Sequence, residues 1–215
     1  MARVGANRMT YADLQRMPDD GRQYELYDGE VRVVPSPTNR HQVVLLNLIA
    51  LLLEYERQHG GRLLFAPSDV VFSKHNVIQP DILYFTEARR HLVQLDSPTR
   101  AAPDLTVEVL SPGTSANDRG RKQAMCARFG VGEYWLVDPF EETIEIFVLD
   151  GDVAHGPPED PVKNTANHRD RRDGREERLE GGHYVRVSTA GAHDVAISPT
   201  IAGLGVAAGR VFDLS

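Results

Sequence analysis

Two acidic residues stand in stretches that otherwise have the apolar pattern of buried β-strands. Glu108 lies within residues 105–110, and Asp81 opens the apolar stretch 81–85. A buried carboxylate costs free energy unless a cation, a proton or several hydrogen-bond donors satisfy it. Neighbouring strands could bring the two acids side by side. Their carboxylates, together with the strand carbonyl of Val109, would then offer the hard oxygen ligands that Mg²⁺ or Mn²⁺ prefers.

An ion bound in this way lowers the pKa of a water molecule and neutralises charge that develops on a phosphoryl group. A nearby lysine would orient that water or stabilise the transition state. The two acids would therefore suit metal-assisted chemistry on a phosphoryl group.

The elements that must hold these acids form an α/β pattern. Alternating or short apolar stretches predict strands, and residues 133–138 and 143–149 are expected to pair in antiparallel fashion. A small-residue segment, 198–206, is expected to form packing loops near the end of the chain. The remaining strands are predicted over 62–65, 69–72, 77–85, 105–110 and 183–189, and the main helices over 39–59 and 117–129.

An N-terminal β-hairpin is predicted over residues 24–34, because Asp28 and Gly29 tolerate the positive φ angles of a two-residue turn. This register places Glu25 opposite Arg32. The favoured interpretation of Glu25 is therefore a cross-strand ion pair, and an auxiliary catalytic role is the alternative.

The helix over 39–59 is apolar nearly all round within residues 43–53. Such a helix must be covered on most sides, either by the sheet and other elements or by a second subunit. His41 lies in its first turn, where capping or packing is the favoured role and catalysis the alternative.

Size and composition predict one domain over residues 1–215. The chain has 41% apolar and 26% charged residues, and its net charge of −7 means that only a local basic patch or a bound cation could attract nucleic acid. Without a signal peptide or membrane span, the protein is expected in the cytoplasm, and its single cysteine excludes an internal disulfide and a Cys-cluster zinc site.

Residues 151–182 differ in composition from the rest of the chain. Ten of the 13 residues in 168–180 are charged, five of each sign, so this segment is predicted to be a charged, flexible insertion loop. The equal number of acids argues against its use as a nucleic-acid patch.

Several short motifs, in this order and spacing, resemble the bacterial Uma-type family within the PD-(D/E)XK nuclease superfamily, whose members are described as restriction endonucleases. The motifs occupy residues 24–30, 35–37, 79–81, 103–112 and 130–139, together with His41, Asp118 and Lys122. The resemblance implies a restriction-endonuclease-like α/β core, in which a mixed central sheet flanked by helices presents Asp81 and Glu108 to Mg²⁺ or Mn²⁺. It also implies DNA as substrate.

Two positions depart from the family pattern. The superfamily's strand lysine would fall at Leu110, and the resemblance implies that Lys122, on the following helix, replaces it. The alternative is that Lys122 forms a surface ion pair with Asp118, one turn earlier. Cys126 stands where an aromatic residue is usual, and its helix face predicts that it packs toward the sheet beside the site.

Two functions are therefore expected. The first is a metal-dependent endonuclease that hydrolyses DNA phosphodiester bonds through Asp81, Glu108 and Lys122. Its candidate auxiliary residues are Glu25, Glu30, His41 and Asp118. The alternative is a catalytically weak or inactive nuclease-fold homodimer that acts as a binding or structural module, with residues 43–53 buried in its partner.

Overall fold

The computed structural model of the chain describes residues 8–151 and 182–215. Within these ranges the helices are α1 (Tyr11–Leu14), α2 (Asn39–His59), α3 (Ser115–Asn117), α4 (Gln123–Arg128) and α5 (Ala208–Val211), with a 3₁₀ turn at Arg90–Leu92 and a π-helical turn at Asp118–Lys122. The strands are β1 (Gln23–Tyr27), β2 (Glu30–Val34), β3 (Arg62–Phe65), β4 (Val70–Ser73), β5 (Asn76–Ile78), β6 (Ile82–Phe85), β7 (Leu105–Val109), β8 (Glu133–Asp138), β9 (Thr143–Asp150), β10 (His183–Gly191), β11 (Val195–Ile197) and β12 (Gly205–Ala207).

The predicted insertion loop falls almost wholly outside this description, since residues 152–181 are not part of it. No helix in the described ranges combines the length and apolarity that crossing a membrane would require.

A six-stranded sheet in the order β10-β9-β8-β7-β6-β3 forms the centre of the fold. The pairing of β7 with β8 is parallel and the other pairings are antiparallel, including the predicted pair β8 and β9. The sheet is therefore mixed, as predicted. A second sheet, β2-β1-β5-β4, contains the N-terminal hairpin in the predicted register, with Glu25 opposite Arg32 and Asp28 at a φ of 50°.

Helices cover both faces of the central sheet. The buried side of α2 packs with β6, β7 and β8 and with the C-terminal segment that includes β12 and α5. On the opposite face, Met125 and Cys126 of α4 pack with Leu110, Leu83 and other apolar side chains. This confirms a mixed sheet flanked by helices. Cys126 packs on the predicted face, and burial raises the pKa of its thiol well above the usual range.

The cover on α2 is incomplete. The helix has the predicted bounds, and Leu48 on its inner side is fully buried. Val43 and Leu46 remain 39% and 65% exposed, respectively. The described residues therefore leave the outer side of α2 open.

Three elements differ from the sequence predictions. The strand predicted over 77–85 is two strands in different sheets, β5 and β6, because Pro80 has no N–H to donate to a ladder and the chain changes sheet there. The helix predicted over 117–129 begins at Ser115 and contains the π-helical turn. The segment expected to form packing loops contains the start of β12 and is preceded by its partner β11.

Candidate functional site

A cavity of about 560 Å³ opens where the hairpin sheet, the N-terminal half of α2 and the adjoining ends of β6 and β7 meet. The titratable side chains that line it are Glu25, His41, Asp81, Glu108, Asp118, Lys122 and Arg32. Six of the seven residues predicted from the sequence as catalytic or auxiliary thus share one cavity.

Asp81 and Glu108 face this cavity from neighbouring strands. The antiparallel ladder of β6 and β7 pairs Ile82 with Val107, and one further step places Asp81 opposite Glu108. Side chains directly opposite each other lie on the same face of a sheet. The ladder therefore explains why two acids 27 positions apart in the sequence reach the same space.

Backbone and side-chain donors hold Asp81 in place. Its Oδ2 accepts a hydrogen bond of 2.7 Å from the backbone N–H of Val109 and lies 3.2 Å from Nε2 of His41. Both contacts use Oδ2, so among the described residues Oδ1 accepts no hydrogen bond and can bind another ligand. His41 is 6% exposed, and its Nδ1 has no hydrogen-bond partner among the described residues.

Lys122 crosses from the π-helical turn to the strand acids. Its Nζ lies 2.8 Å from Oε2 of Glu108 and 3.0 Å from Oε1 of Glu25, and it donates a hydrogen bond of 3.3 Å to the carbonyl oxygen of Gln79. Burial alone would lower the pKa of Lys122, but Glu108, Glu25 and Asp118 outweigh it and hold that pKa well above its usual range. Lys122 is therefore a buried ammonium bound by two carboxylates.

The position of Lys122 overturns two sequence interpretations. Glu25 does not pair with Arg32, because the buried ammonium of Lys122 binds it instead, and Arg32 donates to Asn117 at 2.8 Å. A surface ion pair between Lys122 and Asp118 is also wrong, since both side chains are buried and the ammonium is bound to Glu108 and Glu25.

Glu108 is a buried acid that contacts Lys122 through Oε2. Its Oε1 has no hydrogen-bond partner among the described residues. Burial raises the pKa of Glu108 well above its usual range, and the neighbouring charge of Asp81 adds to this, while Lys122 opposes it. A carboxylate oxygen in this setting is suited to bind a cation or to carry a proton.

Asp118 lines the cavity from the π-helical turn. Burial raises the pKa of its carboxyl group, against the opposing effect of Lys122 and a hydrogen bond with Thr114. The carbonyl oxygen of Asp118 accepts a hydrogen bond of 2.9 Å from the hydroxyl of Tyr134, which fixes the turn on the sheet. π-Helical turns are rare and are found frequently at functional sites.

Glu30 is the one predicted auxiliary residue that does not line the cavity. Its exposed carboxylate lies 2.9 Å from Arg121, on the outer side of the helical segment. The role expected for Glu30 at the site has no support in this geometry.

Sequence reasoning missed Tyr27, Asn117 and the backbone of Gln79. Tyr27 donates to Oε2 of Glu25 at 2.7 Å and accepts from Asn117, while the N–H of Gln79 donates to Oε1 of Glu25 at 2.9 Å. The period of two along β1, which places Tyr27 on the same face as Glu25, is the signal that could have identified the tyrosine. The backbone donor has no signature in the sequence.

The donor set fits a divalent cation. Four carboxylates line the cavity with one ammonium, and Glu108 and Asp81 each have an oxygen that accepts no hydrogen bond within the described ranges. No group of three or more His, Cys, Asp or Glu side chains in these ranges is arranged to hold a metal ion by itself. Mg²⁺ binds through one or two carboxylates and keeps several waters, so it does not need one.

The mixed sheet flanked by helices, with two opposed strand acids in its cavity, places the chain in the class of nuclease-like α/β folds. It is similar to the crystal structure of "a putative nuclease belonging to DUF820" from Anabaena variabilis ATCC 29413, with 18% sequence identity over 95% of this chain and 97% of that chain and a TM-score of 0.64. Likeness at this identity shows a shared fold.

A family model matches the sequence itself. The model is Uma2, described as "Putative restriction endonuclease", and it matches residues 11–166. The chain therefore belongs to the Uma2 family. Among curated proteins, none matches the chain.

Proposed function

We propose that the protein is a metal-dependent endonuclease that hydrolyses phosphodiester bonds of DNA. The observation that supports this most directly is the buried Oε1 of Glu108, which has no hydrogen-bond partner in residues 8–151 and 182–215 and belongs to the strand position opposite Asp81. Membership of a family described as restriction endonucleases supports a nuclease function and a DNA substrate.

The metal site of this proposal consists of Asp81, Glu108 and the carbonyl oxygen of Val109, with Mg²⁺ or Mn²⁺ as the ion. Such an ion, when bound, would acidify a water molecule and neutralise charge on the phosphoryl oxygens. The N–H of Val109 and Nε2 of His41 position the Asp81 carboxylate through Oδ2. We expect His41 to act on Asp81 rather than on the substrate.

In the reaction, a water oxygen forms a bond to phosphorus while the bond from phosphorus to the leaving oxygen breaks. One water proton is released to solvent, and the leaving oxygen takes up one proton. Lys122 would orient the water or stabilise the charged phosphoryl group through Nζ. Its three N–H donors serve Glu108, Glu25 and Gln79, so one of these contacts must open for that role.

A nuclease assay tests the proposal. Purified protein is incubated with plasmid, single-stranded DNA and RNA in Mg²⁺ or Mn²⁺, beside Asp81→Asn, Glu108→Gln and the matched control Asp96→Asn, an exposed acid outside the cavity. We expect cleavage that EDTA and the two site variants abolish and that the control retains. Equal activity in wild type and Glu108→Gln would indicate a contaminant and refute the proposal.

The saturated state of Lys122 favours a second candidate, a catalytically weak or inactive homodimer that acts as a binding or structural module. In that case Lys122 is a structural clamp, and the exposed side chains of Val43 and Leu46 on α2 form the dimer contact. Sedimentation of wild type and Leu46→Glu tests this: a dimer that the substitution dissociates, without any nuclease activity in either protein, would favour the module.

A further inference from the structure

Three of the side chains that line the cavity are apolar and exposed. Val33, Leu46 and Phe65 all line it, and they are 50%, 65% and 56% exposed, respectively. These three side chains, called the apolar rim below, come from β2, α2 and β3. Exposed apolar side chains grouped at a concave site indicate a binding surface.

Phe65 lies beside the candidate metal ligand Asp81. Its strand partner is Ile82, the residue after Asp81, and the N–H of Ala66 donates a hydrogen bond of 3.0 Å to the carbonyl oxygen of Asp81. Because side chains alternate along a strand, the ring of Phe65 shares the sheet face of Ile82 and not that of Asp81. Both side chains nevertheless line the same cavity. No ring stacking or cation–π contact involves Phe65 within the described residues, so its ring is available to a ligand.

Positive charge at the cavity is scarce. Of the described arginines and lysines, only Arg32 and Lys122 line it, and Lys122 is bound by two carboxylates. The arginines of the adjoining helical segment are paired as well, Arg121 with Glu30 and Arg128 with Asp28. Proteins that grip duplex DNA make many phosphate contacts, which these residues do not supply.

Unpaired bases suit this arrangement better. Aromatic side chains bind single strands by stacking on the bases, and enzymes that act on one nucleotide of a duplex first extrude it into a pocket. An uncharged, planar base matches a cavity lined by the apolar rim and four carboxylates, where a second phosphate would be repelled.

We propose that the cavity accepts an unpaired nucleotide, with its base against Phe65 and the apolar rim and its phosphate at Asp81 and Glu108. This inference rests on the proposed function, because the phosphate is placed at the proposed metal site. The unpaired nucleotide could come from a single strand or from a base extruded from a duplex, and the experiment distinguishes these sources.

The inference is tested by measuring the binding of labelled oligonucleotides by fluorescence anisotropy in Mg²⁺. Gels verify that the strands are intact during the measurement. The arms are a single strand, the fully paired duplex of the same sequence, and that duplex with one mismatch. We expect the single strand to bind at least about tenfold more tightly than the paired duplex. Phe65→Ala should weaken that binding about 5- to 150-fold, and Phe65→Trp should retain it.

The matched control is Phe140→Ala, since Phe140 is 59% exposed and lies outside the cavity. It should bind like wild type. If the mismatched duplex binds more tightly than the paired duplex, and Phe65→Ala removes this difference, extruded bases are the source of the nucleotide. If the two duplexes bind equally weakly, single strands are the source.

Equal binding of single strand and paired duplex, an unchanged affinity in Phe65→Ala, or no binding of any oligonucleotide would overturn the inference. If Phe65→Ala instead dissociates a dimer in sedimentation and leaves oligonucleotide affinity unchanged, the rim belongs to a second copy of the chain. The two proposals can be refuted independently. If oligonucleotides bind in a Phe65-dependent way but are not hydrolysed, only the proposed activity is refuted. If the protein cleaves paired duplex and Phe65→Ala cleaves it equally well, only the inference is refuted.

Discussion

Nζ of Lys122 lies 2.8 Å from Oε2 of Glu108, and both side chains are almost completely buried. The ammonium reaches the strand acid from a helical segment, 14 positions later in the sequence. Leu110, two positions after Glu108, packs into the core and offers no cation. The cation of the candidate site is thus supplied by a helix.

Removing this cation should destabilise the fold. Lys122→Met leaves Glu25 and Glu108 buried without their partner, and breaking a buried ion pair on one side costs about 3–5 kcal/mol. We expect a loss of this size in the free energy of unfolding, measured by urea denaturation.

The exposed pair of Arg121 with Glu30, on the same segment, provides the control. Arg121→Met should cost only about 0–1 kcal/mol, because exposed ion pairs contribute little. The double variant Lys122→Met with Glu108→Gln should recover part of the loss, since one unpaired charge is removed. A loss in Lys122→Met no larger than in Arg121→Met would contradict a buried clamp.

Divalent cations should stabilise the protein if Asp81 and Glu108 bind them. At a metal concentration about 100 times its Kd, binding adds about 2.7 kcal/mol, and each kcal/mol raises the Tm of a domain of this size by roughly 2–4 °C. Thermal unfolding in Mg²⁺ or Mn²⁺ against EDTA measures the shift. Asp81→Asn should abolish it and Asp96→Asn should retain it; an identical shift in both variants would place the metal elsewhere.

The main parts of the fold were predictable because each has a local cause. The hairpin at Asp28 and Gly29 follows from turn chemistry, and α2 has the bounds that its apolar pattern and the glycine after it predict. The opposition of Asp81 and Glu108 could be anticipated only as a consequence of adjacent strands. Its register depends on long-range pairing that no local pattern specifies.

The contacts of the site were less predictable. The hairpin alone favours an ion pair between Glu25 and Arg32. In the structure Glu25 is instead bound in the interior by Lys122, which lies about 100 positions away in the sequence and is invisible to a local pattern. The π-helical turn that places Asp118 and Lys122 toward the cavity has the same sequence signals as an ordinary helix. Tertiary packing decided both outcomes.

The two sides of α2 should respond differently to the same substitution. Leu48 is fully buried, so Leu48→Ala should cost about 2–5 kcal/mol through lost burial and a cavity. Leu46 is 65% exposed, so Leu46→Ala should stay within about 0.5 kcal/mol. Urea denaturation at several protein concentrations measures both, and a loss at Leu46 that grows with protein concentration would show that a second copy covers this side.

Asp118 should make stability depend on pH. Because burial raises the pKa of its carboxyl group in the folded state, the folded protein holds this proton more tightly than the unfolded chain does. The stability that this bound proton contributes is complete below the pKa that Asp118 has in the unfolded chain. It is lost as the pH rises through the pKa that Asp118 has in the folded protein.

Asp118→Asn has no such proton to lose, so the Tm of the variant minus that of wild type should increase between about pH 4 and about pH 8. The charge of Asp118 also raises the pKa of Glu108, which acts in the same direction. A difference that stays constant or decreases over this range, in thermal unfolding without divalent cations, would contradict a buried, proton-binding Asp118.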